Sequence, residues 1–510
     1  MPENVMTTNC SNELPVAKPR KWWKTCLRTL GLGVVAMVAL GFLVVVFENW
    51  RGRRAWEAYR VEAESRGVVL QLSVTIPPLI PEGSNVAAIP MLSALFDYHS
   101  TTNGEVRWKD SNLVNRVQSV SAFVTKVFAD SGPNANWYKG TTENLEAIQK
   151  NLLKQGGNLA VSTEPSTPAR TILTALDEFG TELSILEEGF KRPQVRFPAH
   201  YEGLYEEGFA CLLPTLSVMK GFSRLSLLKS SAYLAEGKTD EAFNQVLFSL
   251  RCGEVVGTNP LLISALVQLA IDSVSVSGIY EGLVGHRWTD AQIQGFTTVL
   301  RQRDPYALLR QSIQLERAIA NDFYDRSRRG FVKESLLDFG SPFFQDLRMV
   351  PSAILYQNQR RQNQFYDAIN FDGVREHGLS TFSKDAGMEQ LTNGFWPYRA
   401  LSAMLAPAIH SCLKKTVRGR VTLDLAILAC ELERYRIAKG TYPETLAELV
   451  PQFLKAIPHD AASGGALHYD REKNDRFVLY SVGSDLKDDL GDIGKDEAGD
   501  WTWRMPKSLN

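Results

Sequence analysis

The chain has 510 residues, of which 44% are hydrophobic and 22% are charged, and its formal net charge is −1. These proportions are ordinary for folded domains, and the length suits about two to four of them. The near-zero charge excludes a global field that would draw the protein to nucleic acid or to an acidic surface.

The N-terminal region predicts one membrane-spanning helix. Residues 29–47 carry no charge, and nineteen residues at about 1.5 Å each nearly cross a hydrocarbon core of ~30 Å. Five basic residues stand in front of this run: Lys18, Arg20, Lys21, Lys24 and Arg28. We predict a cytoplasmic tail over 1–24 and a transmembrane helix over 25–48.

A cleaved signal peptide is the alternative interpretation of this run. The run is long for a signal peptide, and the residues that follow it, Glu48–Arg54, contain no A-x-A cleavage site. We therefore predict an uncleaved signal anchor. The basic residues before the span favour a cytoplasmic N-terminus, with the bulk of the chain outside the cytoplasm.

Residues 49–84 predict a juxtamembrane helix followed by a proline-rich linker. Residues 85–410 predict a helical domain built from hairpins. Its clearest hairpin spans Leu225–Arg251, where Gly237 suits the left-handed position that ends a helix. A capping box, Thr289–Gln292, predicts the start of another helix.

Two segments of this domain allow alternative interpretations. The apolar run Pro260–Tyr280 is long enough to be a second membrane span, but Asp272 near its middle is costly in lipid, so we predict a buried core helix. Tyr356–Tyr366 mixes arginine, glutamine, asparagine and aromatic residues. Single-stranded nucleic acid is one possible ligand of such a mixture. We predict instead a solvated helix face with two aromatic anchors, and no nucleic-acid partner.

The C-terminal region, 415–510, predicts a small α+β unit. An apolar helix reaches a stop at Gly440, and Thr441–Glu444 has a capping-box pattern. Two strand-like runs follow, Ala466–Tyr469 and Phe477–Ser481. The order helix, helix, strand, strand is complete in itself, which predicts that these residues fold as a unit.

This order resembles the globular part of type II secretion major pseudopilins. The matching residues are Tyr435, Gly440, Tyr442, Pro443, Leu454, Pro458, Tyr469, Leu479, Tyr480, Ser481, Val482, Gly483 and Asp485. The resemblance implies a bacterial envelope protein of the inner membrane, in which a pseudopilin-like domain has been reused. A prepilin leader does not precede the apolar run, so polymerisation into a pilus is not expected.

In that family the loop after the Leu-Tyr-Ser strand holds calcium, which prefers six to eight oxygen ligands. Asp485 matches the first family carboxylate, and Asp492 and Asp496 are placed to be later ones. Leu486 stands where the family has a glycine. The resemblance therefore implies a calcium site at these three residues, and a solvated acidic loop is the alternative.

Catalytic motifs are missing from the sequence. It has no Gly-x-Ser-x-Gly, no Walker loop and no His-Glu-x-x-His, and its Ser-x-x-Lys spacings lack the partner motifs of penicillin-binding enzymes. Cys211, Cys252, Cys412 and Cys430 follow the span and could form disulfides outside the cytoplasm. We predict buried thiols instead, because free cysteine packs as a small hydrophobe.

Together these features predict a mainly α protein with one N-terminal transmembrane helix and a C-terminal pseudopilin-like α+β domain. The predicted function is a non-enzymatic scaffold or interaction protein that works with other envelope proteins. An envelope hydrolase is the alternative, with a site assembled from dispersed residues of 85–400. A deep polar pocket with converging acidic and hydroxyl side chains would favour the hydrolase.

Overall fold

A computed structural model describes residues 22–100, 106–128, 135–154, 166–197, 213–330, 350–383, 396–473, 475–495 and 498–506. Within these residues the chain is mainly helical, with a long apolar N-terminal helix and a small C-terminal antiparallel sheet. This confirms the predicted fold class at that level.

The helices of the described residues are α1 (Trp22–Ser65), α2 (Leu72–Thr75), α3 (Pro90–Ser93), α4 (Ser111–Phe128), α5 (Leu145–Lys154), α6 (Pro168–Leu176), α7 (Gly180–Gly189), α8 (Pro214–Ala235), α9 (Thr239–Gly257), α10 (Leu262–Val284), α11 (Asp290–Arg301), α12 (Pro305–Arg329), α13 (Ser352–Asp367), α14 (Phe371–His377), α15 (Leu379–Ser383) and α16 (Ala400–Lys439). The strands are β1 (Tyr98–Ser100), β2 (Val106–Trp108), β3 (His468–Glu472), β4 (Arg476–Ser481) and β5 (Trp501–Arg504). Short 3-10 turns lie at Glu82–Ser84, Val86–Ala88, Ala94–Phe96, Asp177–Phe179, Trp396–Tyr398 and Leu446–Leu449.

Helix α1 is a single rod of 44 residues. The side chains of 26–46 are exposed, and this part is long and apolar enough to cross a membrane. Exposed leucine, valine and phenylalanine over several turns are costly in water and favourable in lipid. The N-terminal helix therefore has the properties of a signal anchor or a signal sequence.

The second half of α1 docks on α13. Gly52 lies so close to Ala353 that a Cβ at Gly52 would be 3.2 Å from the Ala353 Cα. The Asn49 side chain accepts a hydrogen bond from the Ala353 N–H at 2.7 Å. At the far end, the Tyr59 hydroxyl and the Arg66 guanidinium both donate to Asp367, each at 2.7 Å. The rod is therefore fixed to the helical domain along its exit from the apolar segment.

Helix α13 does not have the solvated face that its sequence predicts. Five of its amide side chains are buried: Gln357, Asn358, Gln359, Gln362 and Asn363. Asn363 donates to Asn321 on α12 at 2.7 Å, and Tyr324 donates to Gln362 at 2.8 Å. The prediction was wrong because these amides hydrogen-bond to side chains of α12, which offsets much of the cost of burying them, although Gln359 Oε1 has no partner among the described residues.

The hairpin and the apolar run match their predictions. Helices α8 and α9 are joined at Gly237, whose φ of +75° is the left-handed conformation that suits glycine. Helix α10 is a core helix, in which Asp272 is buried. The capping box of Thr289 and Gln292 is formed at the start of α11.

Helix α16 belongs to a hydrophobic core that is shared by the helical domain and the C-terminal region. It runs from Ala400 to Lys439 and contacts α10, α11, α12 and α13 as well as β4 and β5. One continuous cluster of buried side chains includes Ile279 of α10, Leu428 of α16 and Leu479 of β4. The domain limits remain predictions, and the predicted limit near 410–415 falls inside this helix.

The C-terminal sheet has the order β3-β4-β5, and both pairs are antiparallel. Gly440 ends α16 with a φ of +84°. Strand β4 contains the predicted run Phe477–Ser481, and β3 overlaps only the last two residues of the predicted run Ala466–Tyr469. Strand β5 was not predicted. The capping box lies at Thr445 and Glu448 rather than at Thr441–Glu444, because the turn Leu446–Leu449 begins only there.

Candidate functional site

A polar cavity of about 350 Å³ lies between α8, α10 and the segment 135–143. The charged and hydroxyl side chains on its wall are Tyr138, Glu143, Lys220, Arg224, Ser231, Ser273, Ser277 and Glu281. The cavity therefore gathers two carboxylates, two cations and four hydroxyls from three parts of the chain. Among the described residues it is the cavity that best fits acid–base chemistry.

The two glutamates are connected directly. The Glu143 backbone N–H donates to Glu281 Oε1 at 3.3 Å, and the Ser231 hydroxyl donates to Glu281 Oε2. The N–H of Ala135 donates to Glu143 Oε2 at 2.9 Å. Glu143 Oε1 is buried and has no hydrogen-bond partner among the described residues. One carboxylate oxygen is thus left for a ligand, a water molecule or a proton.

The environment of this pair favours a proton on one carboxylate. Burial, together with the charge of Glu281, raises the pKa of Glu143 to about 7. Burial also raises the pKa of Glu281, although the Ser231 and Glu143 N–H donors oppose that rise. The pair can therefore hold a proton near neutral pH, as a general acid must.

Close helix packing brings these residues together. Gly278 on α10 lets α8 approach, since a Cβ there would lie 2.6 Å from Leu227 Cδ2. Arg224 on α8 stacks over the Phe128 ring at 4.9 Å, and burial lowers its pKa. Sequence analysis missed this site. The available signal was Glu281, an acidic residue near the end of the apolar helix α10.

A wider cleft of about 820 Å³ lies against the C-terminal sheet. It shares Tyr138 and Glu143 with the cavity. Its other wall is formed by residues 491–493 of the acidic loop and by residues 504–506. Glu143 therefore lies on the wall of both the cavity and the cleft.

Two of the three predicted calcium ligands of the acidic loop lie among the described residues. The exposed Asp485 accepts from the Lys487 N–H at 3.1 Å, and the exposed Asp492 accepts from the Gly494 N–H at 3.0 Å. Asp496 lies outside the described residues. The described residues contain no group of three histidine, cysteine or acidic side chains arranged to hold a metal. The calcium set therefore stays a prediction.

Asp500 is a buried carboxylate of this loop. Its Oδ2 accepts from the N–H groups of Gly491 at 2.7 Å and Asp489 at 3.2 Å, which closes the loop. Burial, with the nearby charges of Asp489 and Asp488, raises its pKa. Asp500 Oδ1 has no partner in the described part of the chain. Asp500 is therefore oriented toward the interior of the acidic loop, a role that sequence analysis did not assign.

The cysteines described here are free thiols. Cys252, Cys412 and Cys430 are buried and unpaired, as predicted, and burial raises the pKa of each. Cys211 lies outside the described residues. A raised thiol pKa leaves little thiolate, so these three cysteines are poor nucleophiles.

Comparison of the chain with family models, with curated proteins and with solved structures finds no match.

Proposed function

We propose that this protein is a single-pass protein of the bacterial inner membrane that acts as a non-enzymatic scaffold. Its bulk lies outside the cytoplasm, and its partners are the membrane and other envelope proteins. Its C-terminal region is a pseudopilin-like α+β module. The helix, short turn and antiparallel strands of that region support this assignment.

One observation carries the proposal: α1 is continuous from its apolar half into the helical domain. A flexible tether would leave a domain free to rotate above the membrane. Here Asn49, Gly52, Tyr59 and Arg66 fix the rod to α13. A domain held in one orientation can present the same surface to envelope partners, which is what a scaffold requires.

The membrane topology is tested with two reporters fused after Arg66. Alkaline phosphatase is active only outside the cytoplasm, and green fluorescent protein folds poorly there when exported unfolded. We expect active phosphatase and a dark fluorescent protein, because basic residues precede the span. Fusions placed before Lys18 serve as the cytoplasmic control. Bright fluorescence with inactive phosphatase after Arg66 would reverse the proposed topology.

We further propose that the loop 485–500 binds calcium through Asp485, Asp492 and Asp496. Carboxylates with backbone carbonyls are the ligands that calcium prefers. Support comes from the acidic composition of the loop and from Asp500, whose hydrogen bonds to Gly491 and Asp489 close it. Calcium would here stabilise the module and would not take part in catalysis.

Calcium is expected to raise the melting temperature of the full chain in detergent. At a hundredfold excess over its Kd, calcium contributes about 2.7 kcal/mol, which corresponds to roughly 2–3 °C for a chain of 510 residues that melts as one unit. Asp485→Asn should abolish this rise and leave the melt in chelator unchanged. Asp470→Asn, on exposed strand β3, is the matched control and should keep the rise. Equal wild-type melting in calcium and in chelator would refute the site.

An envelope hydrolase is the second candidate, and the glutamate pair favours it. Two neighbouring carboxyl groups, one of them with a pKa raised to about 7, provide the pair of groups that two-carboxylate hydrolysis of glycosidic bonds needs. A Glu281→Gln chain separates the two functions. A scaffold should keep its cellular role without the Glu281 carboxylate, whereas a hydrolase should lose its activity.

A further inference from the structure

A second polar cavity, of about 310 Å³, lies where the helical domain meets the C-terminal region. Four stretches of chain converge on it: the α11–α12 junction, α14, the middle of α16 and the loop 458–461. Four arginines line it: Arg301, Arg303, Arg375 and Arg420. The acidic residues that line it are Asp304 and Asp424.

Most of these arginines are already held in place. Arg375 donates to both oxygens of Asp304, at 2.8 and 2.7 Å. Arg420 donates to both oxygens of Asp424, and Arg301 to Glu431 at 2.6 Å. A guanidinium has five N–H donors, so each such pair leaves donors for another acceptor. The carboxylates fix the orientation of the arginine side chains and leave some of their N–H donors available.

One buried donor on the cavity wall is unsatisfied among the described residues. The Tyr306 hydroxyl has no hydrogen-bond partner, although the residue is 2% exposed. Arg303 is held by other groups: its Nε lies 3.8 Å from Asp272, its Nη1 lies 3.7 Å from Glu254, and its Nη2 donates to the Leu250 carbonyl at 2.7 Å. Leaving a buried donor without an acceptor is costly. The Tyr306 hydroxyl therefore indicates that an acceptor enters this cavity.

We propose that this cavity binds the phosphate group of a small molecule or inorganic phosphate itself. The donors come from three stretches of chain, the α11–α12 junction, α14 and α16, and not from one guanidinium. A planar carboxylate is satisfied by a single guanidinium, whereas a tetrahedral dianion accepts from several directions. The volume holds a phosphate with a few further atoms and excludes a large ligand.

Calorimetric titration of the full chain in detergent tests the site. Inorganic phosphate and glycerol 3-phosphate are titrated separately at constant ionic strength, with sodium chloride as the blank. Binding of either ligand supports the site. Tighter binding of the ester identifies a phosphorylated molecule as the source of the group, and tighter binding of the ion identifies free phosphate.

Arg375→Gln is expected to weaken binding roughly tenfold to a hundredfold, because a charge-assisted hydrogen bond is lost. Arg310→Gln is the matched control. Arg310 also pairs with an aspartate at 2.7 Å, stacks on an aromatic ring and is half exposed, but it lies outside the cavity. Unchanged affinity in Arg310→Gln and a loss in Arg375→Gln support the proposal.

Tyr306→Phe is a second test variant, which is expected to fold even if Arg375→Gln does not. It removes the unpartnered hydroxyl and keeps the ring, so its melting temperature without phosphate should stay at or above that of the wild type. Its phosphate affinity should fall roughly tenfold. No binding by the wild type, equal weakening in Arg375→Gln and Arg310→Gln, or full affinity in Tyr306→Phe would each overturn the site.

Discussion

Trp503→Ala is expected to destabilise the folded chain by about 3–5 kcal/mol, the usual cost of removing a buried aromatic side chain. Trp503 on β5 is fully buried. Its ring stacks on Trp137 at 5.8 Å and meets Tyr280 edge-on at 5.3 Å. The Tyr280 hydroxyl also donates to the Arg504 carbonyl at 3.0 Å. Trp503 therefore joins the C-terminal sheet to α10 and to the 135–143 segment.

Denaturant unfolding of the full chain in detergent measures this effect. Leu490→Ala is the control, because Leu490 lies in the same region and is 80% exposed, and it should change the free energy of unfolding by less than about 0.5 kcal/mol. A single transition that shifts as a whole would indicate a shared core. Two transitions, with only the C-terminal one shifted, would instead support the independent unit that the sequence predicts.

The shared core also changes the expectation for an isolated fragment of residues 415–510. In the full chain, buried residues of α16 such as Leu428 and Cys430 belong to the same core as α10 and α11. Cutting at 415 exposes that surface to water, at about 25 cal/mol for each Å² of apolar area. The fragment alone is therefore expected to lose cooperativity.

Local patterns of the sequence predicted the parts of the fold that depend on neighbouring residues. Gly237 and the Thr289 capping box mark helix ends because their effect lies within one turn. Asp272 within a long apolar run predicted α10 as a core helix, and two short strand-like runs predicted β3 and β4. Such elements are set by contacts a few residues apart.

Distant contacts account for what the sequence did not reveal. The amides of α13 look like a solvated face until Asn321 and Tyr324 of α12 are placed beside them. Tyr59 meets Asp367 across 308 positions of sequence, so the docking of α1 leaves no local pattern. Strand β5 follows an acidic loop and is only four residues long, which is too short to show a clear alternation of apolar and polar residues.

The candidate site belongs to the same class of unpredictable contacts. Glu143 and Glu281 are 138 positions apart, and neither stands in a motif. What makes them distinctive is their burial in one cavity and the pKa that follows from it, which only a folded chain can have. The arginines of the second cavity are likewise drawn from separate helices.

Glu281→Gln is expected to lower hydrolysis of envelope glycan roughly 10²–10⁴-fold if the cavity is catalytic, the usual contribution of an acid–base group. Glu143→Gln should have a similar effect, because the amide can neither donate nor accept the proton. Activity of the wild type should fall as the pH rises above about 7, where Glu143 loses its proton. Release of reducing ends from purified cell walls measures these rates.

The same pair gives a stability readout with a definite sign. The pKa of Glu143 is higher in the folded state, about 7, than in the unfolded state, about 4.5. Protonation of Glu143 therefore stabilises the fold fully below pH 4.5, and this stabilisation is lost as the pH rises through about 7. Glu281→Gln removes a like charge, so it should lower the pKa of Glu143 and weaken this pH dependence. Burial remains, and it should keep that pKa above its ordinary value.

Glu241→Gln is the matched control for these experiments, since Glu241 is exposed in the first turn of α9 and lies outside the cavity. It should leave activity, pH dependence and stability unchanged. Loss of glycan hydrolysis in both cavity variants, with the control active, would establish the hydrolase. A folded Glu281→Gln chain that still restores a deletion strain would exclude catalysis by this pair, because a scaffold needs the shape of the domain and not the charge of one buried carboxylate.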